Sequence, residues 1–571
     1  MDALHALIEP LMPHLVMAPV LLPLGTAALM LLLGDTRRPL KALVNVLSCL
    51  LGLAVSMTLV YWVQHVDGPQ AVGVYLPGNW PVPYGIVLVV DRLSAMMLLL
   101  ASVLGLAAVL YASARWHKAG VHFHPLFQLQ LMGLAGAFLT GDLFNLFVFF
   151  EIMLTASYGL LLHGSGWPRV RAGLHYIAVN LMASTLFLVG IAMLYGVTGT
   201  LNLADMAVMV PAIADEDRGL LHAGAAIMAL AFLVKAAAWP LNFWLPAAYA
   251  SAAAPVSALF AIMTKLGVYA VLRLWTLLFP QDAGVSALFG GPQLVWVGLA
   301  TLAFGAVGIL ATQHLGRMAA FAVILSSGTL LAALGFGQPQ VTGAALYYAF
   351  SSTLAVSALF LVIELVERAR ESDERVPVIS ETEADEAFAF PVELVPSRDV
   401  NLDDDEEALI GRAIPAAMAF LGLSFIMCTL LIAGLPPLSG FVGKFAMLTA
   451  LLNPGGLGGA EGAVPVPVWV MLALLVSGGL MATIALSRAG VRHFWAPQGR
   501  PAPRLRVIEC APVAALLLLA AAMVWQAQPV LRFTQEAARA LHDPREYIGA
   551  VVTAQPVPSP VATGRGGLLK P

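Results

Sequence analysis

This sequence predicts an all-α polytopic membrane protein of about fourteen transmembrane helices, on three observations. The first is composition: 60% of the 571 residues are hydrophobic and 11% charged, whereas soluble chains carry roughly a quarter charged residues. The second is the recurrence of apolar windows of about twenty residues, the length that crosses a bilayer core. The third is the placement of Lys and Arg, which sorts the intervening loops onto two sides.

The spans fall within 15–34, 42–63, 93–113, 125–140, 141–163, 172–196, 222–246, 255–279, 292–312, 317–335, 341–366, 413–452, 467–488 and 510–527. The first should persist as a helix, because no Lys or Arg precedes its apolar run as a cleavable signal would require. The twelfth is long and interrupted by Gly434, Pro436, Pro437 and Gly440.

Basic residues test the count. With the N-terminus periplasmic, the cytoplasmic loops hold Arg37, Arg38, Lys41, Arg115, Lys118, Arg169, Arg171 and Arg317, then Arg368 to Arg412 and Arg488 to Arg506. The opposite loops hold only Arg92 and Arg218. A missed span would scramble that asymmetry, so both termini are expected on the periplasmic side of a bacterial inner membrane.

Four segments follow. Residues 1–124 hold spans one to three; 125–280 and 292–490 form two inverted five-helix repeats, spans four to eight and nine to thirteen; 491–571 hold span fourteen and a periplasmic tail. The acidic stretch 371–411 reads as a solvated cytoplasmic loop. Cys49, Cys428 and Cys510 lie in or beside apolar runs without CxxC spacing, so no metal or iron–sulfur site and no cofactor is expected. Nor is a nucleic-acid partner.

Outside the loops and the tail, four basic residues remain, all inside spans: Lys235, Lys265, Arg273 and Lys444. Glu151 falls at the centre of span five, Lys235 at the centre of span seven and Lys265 near the centre of span eight. Charge at such depth costs about 2.5–3.5 kcal/mol on insertion scales, so these residues are candidates for proton translocation. Arg273 lies nearer the periplasmic end and reads as structural. Burial and pairing act in opposite directions on the proton affinity of a carboxylate or an amine, so a Glu151–Lys235 pair could exchange protons as it opens and closes. Helix breaks are expected beside two of the lysines, at Pro240 in span seven and at Pro436 and Pro437 in span twelve. Secondary candidates are Asp142, at the start of span five, and His314. His175 and His222 read as satisfied or solvated.

The stretch TGDLFNLFVFFEIMLTASYGLLLHG, residues 140–164, resembles the fifth helix of the D subunit of Mrp-type multisubunit monovalent cation/proton antiporters. FLVKAAAWPLNFWLPAAYASAAAPVSALFAIMTKLGVYAVLRL at 232–274 and the LAGLPPLSGFVGK-like stretch at 432–444 extend the likeness. The resemblance implies a non-enzymatic secondary transporter, working with other subunits in the lipid bilayer. It implies a proton path through Glu151, Lys235, Lys265 and Lys444 and an exchanged Na⁺ or K⁺. Two departures stand out. Relatives often carry His where this chain has Ser351, and an acidic residue where it has Ala247. Two other readings stay open: a proton-pumping subunit of a complex I or membrane hydrogenase type assembly, and a non-transporting scaffold.

Overall fold

A chain in lipid must satisfy its backbone polar groups internally, which leaves helices and closed barrels as spanning structures. In the computed structural model the described residues are mostly helical. The structure describes residues 11–34, 36–66, 71–374, 416–454, 464–495 and 505–557.

In chain order the first helices are α1 (Met12–Leu32) and α2 (Arg38–His65), followed by a small antiparallel hairpin, β1 (Gly73–Tyr75) and β2 (Leu88–Val90). Then come α3 (Arg92–Ala114), α4 (Phe123–Leu139), α5 (Leu143–Leu161), α6 (Trp167–Thr198), the short α7 (Leu203–Met209) and α8 (Arg218–Lys235). The middle of the chain forms α9 (Leu245–Ser251), α10 (Ala254–Leu278), α11 (Gly291–Ala311), α12 (Leu315–Gly335) and α13 (Pro339–Glu374). The last part forms α14 (Ala416–Ala433), α15 (Ser439–Leu452), α16 (Val466–Gly490), α17 (Val507–Trp525), α18 (Ala527–His542) and α19 (Arg545–Val552).

Among the described residues, 13 helices are long and apolar enough to cross a membrane. Each falls in a different expected span, and the fourth and twelfth spans differ from expectation. The fourth is α4, of 17 residues, made shorter and less apolar by His124, Gln128 and Gln130. All three are buried in protein. Gln128 donates to the Asn45 carboxamide at 2.6 Å, and Asn45 meets His124 Nδ1 at 2.7 Å. The twelfth is two separate helices, α14 and α15. Lys41, counted with a loop from its sequence neighbours, lies instead in the first turn of α2 and is buried. The first residues of the expected acidic loop, 371–374, belong instead to the end of α13, and 375–411 lie outside the described residues.

The helix at the centre is α10, whose apolar window is 100% buried. It packs against α3, α8, α12 and α13, while α1 and α2 keep many leucines exposed at the rim, as lipid-facing helices do. The segment after residue 527, read from sequence as a tail, folds back instead. Helix α18 buries Thr534, Ala537, Ala538 and Leu541 against α13, α3 and α10, and α19 packs on α7.

Two arginine–carboxylate clasps fasten the ends of this bundle. Arg273 of α10 donates to both oxygens of Asp91, the N-cap of α3, at 2.6 and 2.7 Å. Tyr269 and Tyr547 place their rings 5.7 and 5.1 Å from its guanidinium. At the other end Arg368 of α13 holds Glu509 of α17 at 2.6 and 2.8 Å. Arg273 is therefore structural, as its position near a span end suggested.

Burial alone would raise the Asp91 carboxyl, but Arg273 and the Ser94 N–H outweigh it and hold it below its usual 3.8. A carboxyl depressed in the folded state contributes stability above its unfolded value and loses it as pH falls through the folded one. Replacing Arg273 with Ala should cost about 3–5 kcal/mol, because it strands a buried carboxylate. The check is thermal unfolding in detergent, where the penalty should shrink as the pH falls and the stranded carboxyl takes up a proton.

Candidate functional site

Helix α5 begins at Asp142, whose carboxylate accepts from Asn145 N–H at 2.7 Å as an N-cap. This use satisfies one orphan amide of the first turn, and it gives Asp142 a structural task well away from Glu151. About two and a half turns further on, Glu151 projects toward α6, where the Ser184 hydroxyl donates to its carboxylate. Lys235 Nζ reaches the same Ser184 Oγ at 3.5 Å and lies 5.2 Å from the Phe150 ring. The expected Glu–Lys pair is thus linked through a serine rather than by direct contact. A hydroxyl suits that place because it donates to one partner and accepts from the other.

Lys235 is the last residue of α8. Beyond it the chain leaves the helix from Ala236 to Trp244 and turns helical again in α9. Ala237 takes a left-handed φ of 54°, costly for a residue with a Cβ. The freed backbone finds partners in neighbouring helices and in its own side chains. Trp239 N–H donates to Thr301 Oγ1 of α11 at 2.8 Å, and Trp244 Nε1 donates to the Val234 carbonyl at 3.3 Å. Gly267 of α10 crosses this turn so closely that a Cβ there would meet Ala236 N at 2.7 Å.

On α10, two turns before Arg273, Lys265 is 3% exposed. Its ammonium donates to Ser326 Oγ at 2.6 Å and Ser327 Oγ at 3.3 Å, both on α12. Across α13, Ser351 shares a 2.7 Å hydrogen bond with Ser439 at the start of α15. Serine at this position does not titrate, but the hydroxyl pair carries a hydrogen bond from α13 to the gap between α14 and α15.

That gap differs in design from the first. Helix α14 ends at Ala433, and Gly434 adopts a φ of 75°, the left-handed cap that glycine provides. Lys444, on α15, reaches back across the gap. Its ammonium donates to the carbonyls of Ile432 and Ala433 at 3.2 and 2.8 Å, with the Tyr348 ring 6.0 Å away. One lysine precedes its break and the other follows it, so the two positions are not copies.

His314 accepts from Arg317 N–H as the N-cap of α12 and is exposed, outside the buried set. Ser184, Ser326, Ser327 and Ser439 were missed from the sequence. Hydroxyls are common in membrane helices, and helical spacing alone does not mark those that face a lysine. The helices carrying the set form an unbroken packed series, α5 with α6, then α8, α10, α13 and α15.

A polytopic bundle that buries Lys235, Lys265 and Lys444 and gives each hydrogen-bond acceptors has the form of an ion-translocating membrane subunit. The model of the NADH:quinone oxidoreductase/Mrp antiporter transmembrane family matches residues 140–381. A protein of Rhizobium meliloti, named as the probable D subunit of a K⁺/H⁺ antiporter, is 49% identical over 544 residues, covering 95% of this chain and 98% of that one. The D subunit of a Bacillus subtilis Na⁺/H⁺ antiporter is 30% identical over 554 residues, 95% and 100% of the two chains. A chain of the solved Mrp complex from Dietzia superposes with a TM-score of 0.77 at 26% identity, over 95% and 99% of the two chains. A chain of respiratory complex I from Thermus thermophilus, at 22% identity and a TM-score of 0.70, covers 93% and 99% of the two and shares the fold. This chain belongs to the family of Mrp-type antiporter D subunits.

Removing the Lys444 ammonium should leave the Ile432 and Ala433 carbonyls without their donor, at about 1–3 kcal/mol each. Lys444→Met is therefore expected to lower the unfolding temperature in detergent. Met fills similar space, so a stability equal to that of the unsubstituted chain would show that the capping bonds are unimportant.

Proposed function

We propose that this chain is the proton-conducting subunit of a multisubunit monovalent cation/proton antiporter, exchanging K⁺ or Na⁺ for H⁺. It is a secondary transporter rather than an enzyme. It sits in a bacterial inner membrane with both termini on the outer face and acts with other subunits. Its relatives are themselves named as subunits, which supports that assembly, and the sidedness of Lys and Arg supports the orientation. The segments 125–280 and 292–490 act as two inverted repeats, each with one interrupted helix, at 236–244 and 434–438.

The observation that carries the reading is the Glu151–Ser184–Lys235 link. In a low dielectric the proton affinity of an amine depends steeply on charges nearby. Rotation of the Ser184 hydroxyl, or a small shift of α8 at its break, changes how strongly the carboxylate acts on Lys235. Protons then pass along the packed helices to Lys265 and, by way of the Ser351–Ser439 pair, on to Lys444. The serines of α12 hold Lys265 without a countercharge, so its ammonium can give up its proton without breaking an ion pair.

Cation-dependent proton flux in vesicles holding the whole complex tests this. Glu151→Ala and Lys235→Ala should each slow it by at least about tenfold, equivalent to roughly 1.4 kcal/mol on the barrier, with assembly intact. Ser184→Ala should slow it less. Full antiport in an assembled complex lacking both charged groups would sink the proposal.

A further inference from the structure

One half-buried acid has no part in that path. Glu364 lies near the inner end of α13, and the Trp116 indole N–H donates to both of its carboxylate oxygens at 3.0 and 2.9 Å. The carboxylate borders a cavity of about 250 Å³, whose wall includes Arg115, Arg169, Glu367, Arg368 and Ser257. Of the nearby cations two are engaged elsewhere, while Arg115 lines the cavity wall beside the carboxylate. Arg368 is bound to Glu509, and Arg169 donates to the carbonyls of Ser251 at 2.8 Å and His163 at 3.0 Å. Among the described ion pairs Glu364 has none. Its bound donor is neutral, so adding a proton to it breaks no salt bridge.

Below this carboxylate the two central helices present hydroxyls at matching depths. Ser357 lies two turns deeper on α13, about 10 Å along the axis at 1.5 Å per residue. It donates to the Ala258 carbonyl of α10 at 2.7 Å, which sets it level with Ser257. Ser257 donates to Tyr249 O at 2.8 Å and is 1% exposed. Thr353, one turn deeper again on α13, and Thr264 on α10 are also buried. Lys265 follows Thr264, about 12 Å beyond Ser257 along the same helix. Apolar residues would pack this interface without leaving hydroxyls to satisfy. This column of hydroxyls instead lies between the cavity and Lys265, with Thr264 and Thr353 donating to the Ala261 and Ala349 carbonyls of their own helices.

We infer that Glu364 is the inner-face loading group for protons and that the Ser257, Ser357, Thr353 and Thr264 hydroxyls lead from it to Lys265. This rests on the proton-conducting reading above and adds the port where protons enter. The steps balance simply. A proton from cytoplasmic water binds the Glu364 carboxylate. It leaves along the hydroxyls and intervening water for the neutral Lys265 amine, and Glu364 returns to its anionic form, still held by Trp116. The cationic wall of Arg115, Arg169 and Arg368 faces that anionic form between loadings.

The alternative is a clasp, in which Glu364 only ties the Trp116 turn to α13. Glu364→Gln separates the two, because its amide oxygen still accepts from Trp116 while the titrating group is gone. In proteoliposomes of the whole complex we expect E364Q to slow cation-dependent proton uptake by about tenfold or more. Glu364→Asp should stay within about threefold and shift the pH dependence of the rate. Lys265→Ala is run beside them. Flux lost in K265A but unchanged in E364Q would overturn the port and leave the lysine row standing. Flux unchanged in K265A would overturn both. If E364Q fails to assemble, Ser257→Val closes the column without touching the carboxylate. Loss of flux there supports the port, and flux within about twofold of the unsubstituted complex rejects it.

Discussion

Without water inside a bilayer, every polar group that leaves a helix must be given a new partner, and the rest of this architecture follows from that constraint. Two helices stop in the interior of the bundle, at Lys235 and at Ala433, and each stop frees amides and carbonyls. The first is repaired by Thr301 and Trp244. The second is repaired by Lys444, whose ammonium serves as the cap that an ordinary helix end would take from solvent. The same residue is therefore both a mobile-proton candidate and part of the scaffold. This dual use also explains why the lysine sits beside the break: only there are unpaired carbonyls available to hold it.

Packing enforces the geometry of the first break. Gly267 lets α10 pass within contact distance of Ala236, so the helix that carries Lys265 lies directly against the turn that follows Lys235. Because α10 is buried along its span and packs on α3, α8, α12 and α13, small shifts in one break are felt by all of these neighbours. The arginine clasps Arg273–Asp91 and Arg368–Glu509 fasten the bundle at its two ends, away from the breaks. Rigidity at the ends and irregular backbone at the centre is a division that lets the middle of the bundle adjust while the frame stays fixed.

Family membership was legible because motifs around Glu151, Lys235 and the 432–444 stretch are long and specific, and because the charge count is sparse enough to make each intramembrane charge conspicuous. The likeness at 26% identity to the Mrp complex chain extends over nearly the whole length of both, so the fold was settled by the same residues. The C-terminal helix α18 was overlooked although its pattern was available. Thr534, Ala537, Ala538 and Leu541 recur at helical spacing, but a search tuned to uniformly apolar windows passes over an amphipathic segment.

By itself the sequence determined where chain crosses lipid and which charges remain there, since hydropathy and the cost of burying charge are local properties of composition. It also offered Pro240, Pro436 and Pro437 as places for an interruption, because proline constrains the backbone wherever it stands. Only the tertiary structure decided the partners: Ser184 between Glu151 and Lys235, Ser326 and Ser327 under Lys265, Ser439 against Ser351, and two carbonyls for Lys444. A hydroxyl carries no charge and breaks no pattern, so its role is fixed by which helix face meets which neighbour. The packing of distant segments sets that.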